Sequence, residues 1–392
     1  MIHSILTIVQ VVSLLGTLAA LGYYLFCVWS AGAFIRDTRQ QVEEQTSLGF
    51  QLPPVSILKP LKGIDPEIYE SFRTHCDQDY PAEYEIIFGV SEADDPAVEV
   101  VKRLQQEFPL RLIQLVVCSE RLGLNVKLSN LVQMLRGARY ECVVVNDSDI
   151  RVDQTYLRRI MAPLGDPQVG LVTCLYRAKA SATLGSCLES LGISTDFAPG
   201  VLVARQMEAG IHFGLGSTLA FRKSELDAIG GFESLVDYLA DDYQLGKRIS
   251  DLGRRVVLSE VVVETFLPAY TLAQFVQHQL RWGRAIRDSR RRGYFGLLFT
   301  FGLPWALLAA LTKYGEIWAW VLLVFVISLR FAVALMVGVR VLRDRQIVNW
   351  LFLLPLRDLM APLIWVASLS GNTIEWRGDT FTLKDGKLIQ RV

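Results

Sequence analysis

Four groups of residues have types and spacings that can do chemistry. The stretch "VVVNDSDIRV" runs β-branched and apolar into two carboxylates, Asp147 and Asp149, one residue apart. Strand alternation sends both to one face, where they repel unless a cation lies between them. Oxygen donors of this kind suit Mg²⁺ or Mn²⁺ bridging carboxylates to substrate phosphates. An Asp-rich turn is the competing reading, since Asp and Ser both favour turns. The second group, "YLADDYQLGKRI", places Asp241 and Asp242 ahead of a helical pattern. They serve either as first-turn acids favoured by the helix dipole or as a general base beside a reacting hydroxyl. The third is cationic: Lys59 and Lys62 in "ILKPLKG" and Lys127 in "GLNVKLSN" can receive a diphosphate, or stay solvated. The fourth, "QFVQHQLRWGRAIRDSRRRGY", intersperses Phe275, Leu280, Trp282 and Ile286 with arginines. It reads as an interfacial helix, as a substrate-facing segment in which Arg281 meets phosphate and Trp282 stacks on a sugar, or as both.

The elements that must hold these groups alternate. "VSILK", "YEIIFGV", "LRLIQLVV" and "CVVVND" read as short strands rich in Val, Ile and Leu. Between them, "DPEIYESFRTHCDQ", "DPAVEVVKRLQQEF" and "KLSNLVQMLRGA" have helical spacing, with Asp65 and Asp95 as N-cap candidates before prolines. Strand–helix alternation predicts an α/β domain on a mostly parallel sheet. Ligands in such sheets sit beyond the carboxyl ends of the strands, where Asp147 and Asp149 lie.

The rest of the chain is apolar. Hydrophobic residues make up 51% of the 392, and residues 4–35 carry no charged side chain. At about 1.5 Å per residue that run outspans a hydrocarbon core of about 30 Å. "MIHS" lacks the basic residues of a signal peptide, and the apolar run is too long for its hydrophobic region. Residues 293–312 also lack charge, and 317–339 carry only Arg330. A last apolar segment, 347–369, is interrupted by Pro355, Arg357, Asp358 and Pro362, which predicts a broken or re-entrant path. Charges at such depth are functional, paired or snorkelling to headgroups. Basic residues follow the first apolar segment, precede the second and follow the third. By the positive-inside rule the mixed region is cytoplasmic and the N-terminus outside. Lys+Arg and Asp+Glu are 40 each, so charge balance nominates no nucleic-acid partner. The six cysteines have no metal or CxxC spacing and read as reduced, buried thiols.

Order and spacing together carry a resemblance. "VSILKPLKGIDPEIYESF", "DYPAEYEIIFGVSEADDPA", "NDSDIRV", "ADDYQLGKRI" and "HQLRW", followed by membrane segments and a "TIEWRGDTFTL" tail, look like family 2/21-type inverting glycosyltransferases. More narrowly they resemble ceramide glucosyltransferase and its bacterial relatives, including hopanoid-associated ones. The resemblance implies a glycosyltransferase-A-like mostly parallel sheet domain with N-terminal and C-terminal transmembrane helices. It implies Asp242 as catalytic base. It places Lys59, Glu92, Lys127, Asp147, His278, Arg281 and Trp282 at the nucleotide sugar, and Asp147 and Asp149 on Mg²⁺ or Mn²⁺. Three positions depart from the pattern. Glu92 stands where the animal enzyme has Asp, Asp149 where it has Gly, and His278 where the motif has Gln or Arg.

The implied reaction moves one sugar from a UDP-sugar to a lipid hydroxyl in a single displacement, with ceramide and UDP-glucose as the leading pair. The alternative is a hopanoid acceptor with UDP-N-acetylglucosamine. A processive polysaccharide synthase would need more membrane segments, and a transporter would bury its charges in inverted repeats. The implied organisation is an anchor at 1–35, a cytosolic catalytic region at 50–268 and an interfacial helix at 269–293. Membrane segments at 294–372 and a polar hairpin at 373–392 follow. The implied location is a multi-pass protein of a bacterial inner membrane.

Overall fold

The computed structural model describes residues 2–48, 52–376 and 379–390. The outermost residues of the expected anchor and hairpin, residue 50 at the start of the expected catalytic region, and Arg377 and Gly378 of the tail motif lie outside them. The chain divides into two units, one of residues 1–35, 180–203 and 269–385, the other of 36–179, 204–268 and 386–392. The stretch 180–203, which sequence alone keeps inside the catalytic region, belongs to the first.

The second unit is built on eight strands: β1 (Val55–Pro60), β2 (Tyr84–Val90), β3 (Leu112–Val117), β4 (Cys142–Val145), β5 (Ile150–Arg151), β6 (Val169–Lys179), β7 (Leu219–Arg222) and β8 (Arg255–Phe266). Their spatial order is β3-β2-β1-β4-β7-β6-β8-β5. The first four are parallel, as strand–helix alternation requires, so β1, β2 and β4 all end at the same edge of the sheet. Their buried Val, Ile, Leu and Phe side chains pack beneath helices Ile68–Cys76 and Ala97–Glu107. β6 and β8 are also parallel to each other. Sequence alternation does not reveal β7, which runs antiparallel between β4 and β6 with Val145 opposite Leu219. That reversal brings the residues just before Leu219 to the edge where β4 ends.

The expected caps are partly replaced. Helix Ile68–Cys76 starts after Glu67, whose φ of 57° sets the turn, and the Asp65 carboxylate accepts from the Ser148 hydroxyl instead. Asp95 does hold its helix start, accepting from Ala97 N at 2.9 Å, and also accepts from Gly63 N at 2.9 Å.

Among the described residues, three helical stretches are long and apolar enough to cross a membrane: His3–Gln40, Ile317–Val341 and Ile347–Leu369. The helix holding the first of them runs to Leu48, past residue 35 at which the uncharged run ends. The sharp break falls elsewhere than expected. It lies between Arg291–Thr300 and Gly302–Thr312, bent by 46°, which count as a fourth span if taken together. The 347–369 segment runs through helix Ile347–Trp350, a short 3₁₀ turn Leu351–Leu353 and helix Leu354–Leu369, with Pro355 in the last helix's first turn, where no backbone donor is needed, and Pro362 inside it. Its charges are paired: Arg330 donates to Asp358 at 2.7 and 2.9 Å, and Arg357 to Asp196 at 2.8 Å. Strands Thr373–Trp376 and Asp379–Lys384 form the antiparallel tail hairpin. All six cysteines are free and buried.

Candidate active site

The edge where β1, β2 and β4 end carries the acids. Asn146 anchors the turn after β4: its side-chain amide donates to Ser217 O at 2.7 Å, to Tyr156 Oη at 2.8 Å and to Thr218 Oγ1 at 3.2 Å. Lys59, at the end of β1, is wholly buried and donates to Asp147 O at 3.0 Å. It props the acidic turn from beneath rather than facing a ligand. Burial holds its ammonium down to about 7, against the pull of Asp149 and Asp147. Glu92 lies exposed in the turn after β2.

Lys127 is the hub. Its ammonium sits 2.8 Å from Asp147 Oδ1 and 3.1 Å from Asp241 Oδ2, with 9% of its side chain exposed. Burial opposes its charge, but Asp147 and Asp241 outweigh that and hold it well above the usual lysine range. The sequence folds to this arrangement through Asn125. Its side chain caps helix Val126–Gly137 by accepting from Leu128 N at 3.2 Å, and donates to Tyr238 O at 2.8 Å. One residue therefore starts the lysine's helix and ties it to the segment that leads into Asp241.

Asp242, in the first turn of helix Asp241–Asp251, accepts from Gly216 N at 2.7 Å and from Tyr243 N at 2.7 Å. Burial, then the neighbouring Asp241 charge, push its carboxyl up to about 6, with Lys127 opposing. Asp147 approaches the same glycine. A Cβ placed on Gly216 would lie 3.0 Å from Asp147 Oδ2 and 3.2 Å from Asp242 Oδ2. The acid at the end of β4 and the acid at the helix start thus face one small space beside Gly216, where a Cβ would be a tight contact for both carboxylates.

Asp149 points aside and accepts from the Thr265 hydroxyl on β8. Burial and the Asp147 charge push it up to about 6. Among the described residues no cluster of three or more His, Cys, Asp and Glu side chains can hold a metal ion. The donor chemistry still fits a divalent cation. Asp147 Oδ2 has no protein hydrogen-bond partner among the described residues, and two carboxylates here disfavour each other's charge. Mg²⁺ and Mn²⁺ sites use one or two carboxylates and fill the remainder with water and phosphate oxygens.

The HxxRW residues lie in the first unit, on helix Leu272–Ser289, which starts with a capping box between Thr271 and Gln274. His278 stacks on Tyr270 with ring centres 5.7 Å apart and tilts against Trp282 at 5.6 Å. Trp282 meets Phe197 edge-on at 5.7 Å. Arg281 is partly buried on the same helix. Two further arginines of this helix bond to backbone carbonyls. Arg287 donates to the carbonyls of Ser368 and Leu369 at 2.6 and 2.7 Å, and Arg284 to those of Thr373 and Ser370. They cap the end of helix Leu354–Leu369.

Sequence reasoning misses two participants. Gly216 matters only because β7 is reversed, and no local pattern announces that. Glu189, within "SCLESLG", is an ordinary helical acid by sequence but is 1% exposed and bonded to His278 and Gln279.

Comparison with known proteins agrees with this architecture. The model of glycosyl transferase family 21 matches residues 12–389. Ceramide glucosyltransferase 3 of Caenorhabditis elegans is 25% identical over 389 residues, covering 94% of this chain and 82% of that protein. Ceramide glucosyltransferase 1 of the same animal is 24% identical over 361 residues, covering 86% and 73%. Among solved structures, a mannosyltransferase from Pyrobaculum calidifontis, in complex with GDP-Man and Mn²⁺, aligns with 91% of this chain and 99% of its own. The TM-score is 0.51 at 20% identity, a likeness of fold that makes this a glycosyltransferase-A-like α/β domain.

Proposed function

The chain belongs to glycosyl transferase family 21, a sugar-transferring enzyme supplied by a nucleotide sugar, and on that premise we propose that it glycosylates a lipid hydroxyl with inversion. The acceptor class is ceramide and the sugar glucose, as the names of the two Caenorhabditis elegans relatives suggest, with UDP as the carrier that the sequence resemblance implies. One observation carries the reading: Asp147 and Asp242 converge on the space beside Gly216. A diphosphate-facing acid and a base raised towards neutrality are what a single displacement needs in one place.

In this reading Asp242 takes the proton from the lipid's hydroxyl. The freed oxygen pair forms the new bond to the anomeric carbon from the face opposite UDP. The old C–O bond breaks, and its electron pair leaves with the diphosphate. Gly216 N–H and Tyr243 N–H aim the Asp242 carboxylate. Lys127 holds Asp147 and Asp241 against their mutual repulsion. Asp147, with Asp149 beside it, would hold a divalent cation, which when bound offsets charge growing on the leaving diphosphate. The sequence resemblance assigns His278, Arg281 and Trp282 to the nucleotide sugar as well. The apolar helices keep the acceptor hydroxyl at a membrane interface facing the cytoplasm, so position supplies part of the rate.

The test uses full-length protein in detergent with ceramide or bacteriohopanetetrol and radiolabelled UDP-glucose or UDP-N-acetylglucosamine. Ceramide with UDP-glucose is expected to yield a lipid carrying one sugar. Asp242→Asn is expected to bind UDP as the wild type does and to lose about two to four orders of magnitude in turnover. No lipid product from any pair, with Mg²⁺ or Mn²⁺ present, would sink the reading, and an active Asp242→Asn would remove the base.

A further inference from the structure

The acidic turn Asp147–Asp149 is held by one segment, residues 59–71, which the reaction above does not use. Lys59 Nζ donates to Asp147 O at 3.0 Å, the Ser148 hydroxyl donates to the Asp65 carboxylate, and Ser71 Oγ donates to Asp149 O at 3.3 Å. All of these residues lie in the second unit. Asp65 makes its bond in place of the one its sequence offers. An Asp before a Pro is a helix start, its carboxylate accepting from the first free backbone donors. Here the helix begins after Glu67, which makes no side-chain cap bond and has a φ of 57°, a region that residues other than glycine rarely adopt. The Asp65 carboxylate turns instead to Ser148, which is 5% exposed. An uncapped helix start and a left-handed glutamate persist only where the surroundings over-determine them. The loop is also fixed on its far side, where Gly63 N donates to Asp95 at 2.9 Å.

We propose that Asp65 is a positioning residue for donor binding: its hydrogen bond to Ser148 fixes the turn that aims Asp147 at the diphosphate. This rests on reading Asp147 as the acid that faces the diphosphate. Lys59 and Ser71 hold the carbonyls at the two ends of the turn, and the Ser148–Asp65 bond holds its middle. A rotation of the backbone at Ser148 would swing the acid before it, so the bond that stops this rotation governs where Asp147 points. Groups that bind a ligand keep one geometry only through such supporting bonds. Asp65 also carries charge, and Asp149 feels it behind burial and the Asp147 charge. Bond and charge are separable. Asp65→Asn removes the charge and still offers an oxygen to the Ser148 hydroxyl, whereas Asp65→Ala removes both.

The experiment measures UDP affinity of the full chain in detergent, with Mn²⁺ present, in a double-mutant cycle. Thermal unfolding checks that each variant is folded. Asp65→Ala is expected to bind UDP about tenfold more weakly, the size of one hydrogen bond to a charged group. Asp65→Asn is expected to keep most of the wild-type affinity. Ser148→Ala is expected to lose as much as Asp65→Ala, and Asp65→Ala with Ser148→Ala to lose no more than either alone. If Asp65→Ala does not fold, Ser148→Ala removes the same bond from its other end, and wild-type affinity there would overturn the proposal. So would wild-type affinity in Asp65→Ala, or losses that multiply in the double variant, since Asp65 would then not act through Ser148. Asp65→Asn as weak as Asp65→Ala would overturn it too, by showing that the charge matters and the bond does not. Wild-type protein that binds no UDP would overturn the donor reading and this role with it, whereas wild-type binding with an unaltered Asp65→Ala overturns the role alone.

Discussion

Asp242 illustrates how much a single residue's environment adds to its sequence. Two adjacent acids at a helix start are unremarkable, and the dipole would welcome both. What distinguishes Asp242 is burial next to Asp241, which raises its carboxyl to about 6 while two backbone N–H groups aim it. The sign of the consequence is fixed. A base works as carboxylate, so kcat/KM, which reports the free enzyme, should be level above about pH 6 and fall about tenfold per pH unit below it. Asp241→Asn removes a neighbouring negative charge and also frees Lys127 to act on the remaining acids. Both effects favour the Asp242 carboxylate, so the acid limb of the kcat/KM profile should move to lower pH. An unmoved limb, or one moved upward, would show that another group sets it. Sequence shows the acids here but not their contacts. Lys59 reads as a free strand-end cation and is instead sealed under Asp147, because only the three-dimensional sheet determines which side of a strand end is buried.

At the scale of elements, the strands and helices that carry the acids follow from local pattern. Continuous apolar runs and polar breaks place β1, β2 and β4, and an Asn before a helical run places the helix of Lys127. The seat of Asp242 does not follow, because it depends on one backbone lying against another. A Cβ on Gly246, one turn along its helix, would run into Gly214 N and Phe213 C and stand 2.8 Å from Phe213 Cα. The helix therefore rests directly on the segment that leads into Gly216. Gly246→Ala cannot be absorbed by a rotamer change, because the obstacle is main chain, so the helix must shift. Overpacking of this kind costs about 1–3 kcal/mol. The displaced Asp242 should then lower kcat far more than it raises KM for the donor, since Asp147 and Lys127 lie on other elements. A variant with lowered thermal stability but unchanged kcat would show that the seat does not position the base.

At the scale of the molecule, chain order and spatial grouping part company. Residues 180–203, which follow β6, group with the apolar helices of the first unit, where Thr195 and Asp196 join a charge arrangement. Sequence shows Arg330 alone in an apolar span and Arg357-Asp358 in another, without indicating that they meet. In the structure Arg330 reaches Asp358 at 2.7 Å, Asp196 at 2.6 Å and Thr195 O at 2.7 Å, and lies 5.7 Å from the Tyr24 ring. Arg357 completes the group on Asp196. Two cations and two anions, drawn from distant parts of the chain, therefore balance within the first unit. The balance makes the cost of a change depend on what is left behind. Arg330→Met leaves two carboxylates facing one guanidinium, and an uncompensated buried charge costs about 3–5 kcal/mol. Arg330→Met with Asp358→Leu removes one charge of each sign and leaves the Arg357–Asp196 pair intact. Buried ion pairs replaced by apolar groups are often close to neutral in stability. Thermal unfolding in detergent should therefore rank the double variant near the wild type and well above Arg330→Met alone. If the double variant is as unstable as the single one, the arginine contributes through its hydrogen bond to Thr195 O and its packing on Tyr24 rather than through charge balance.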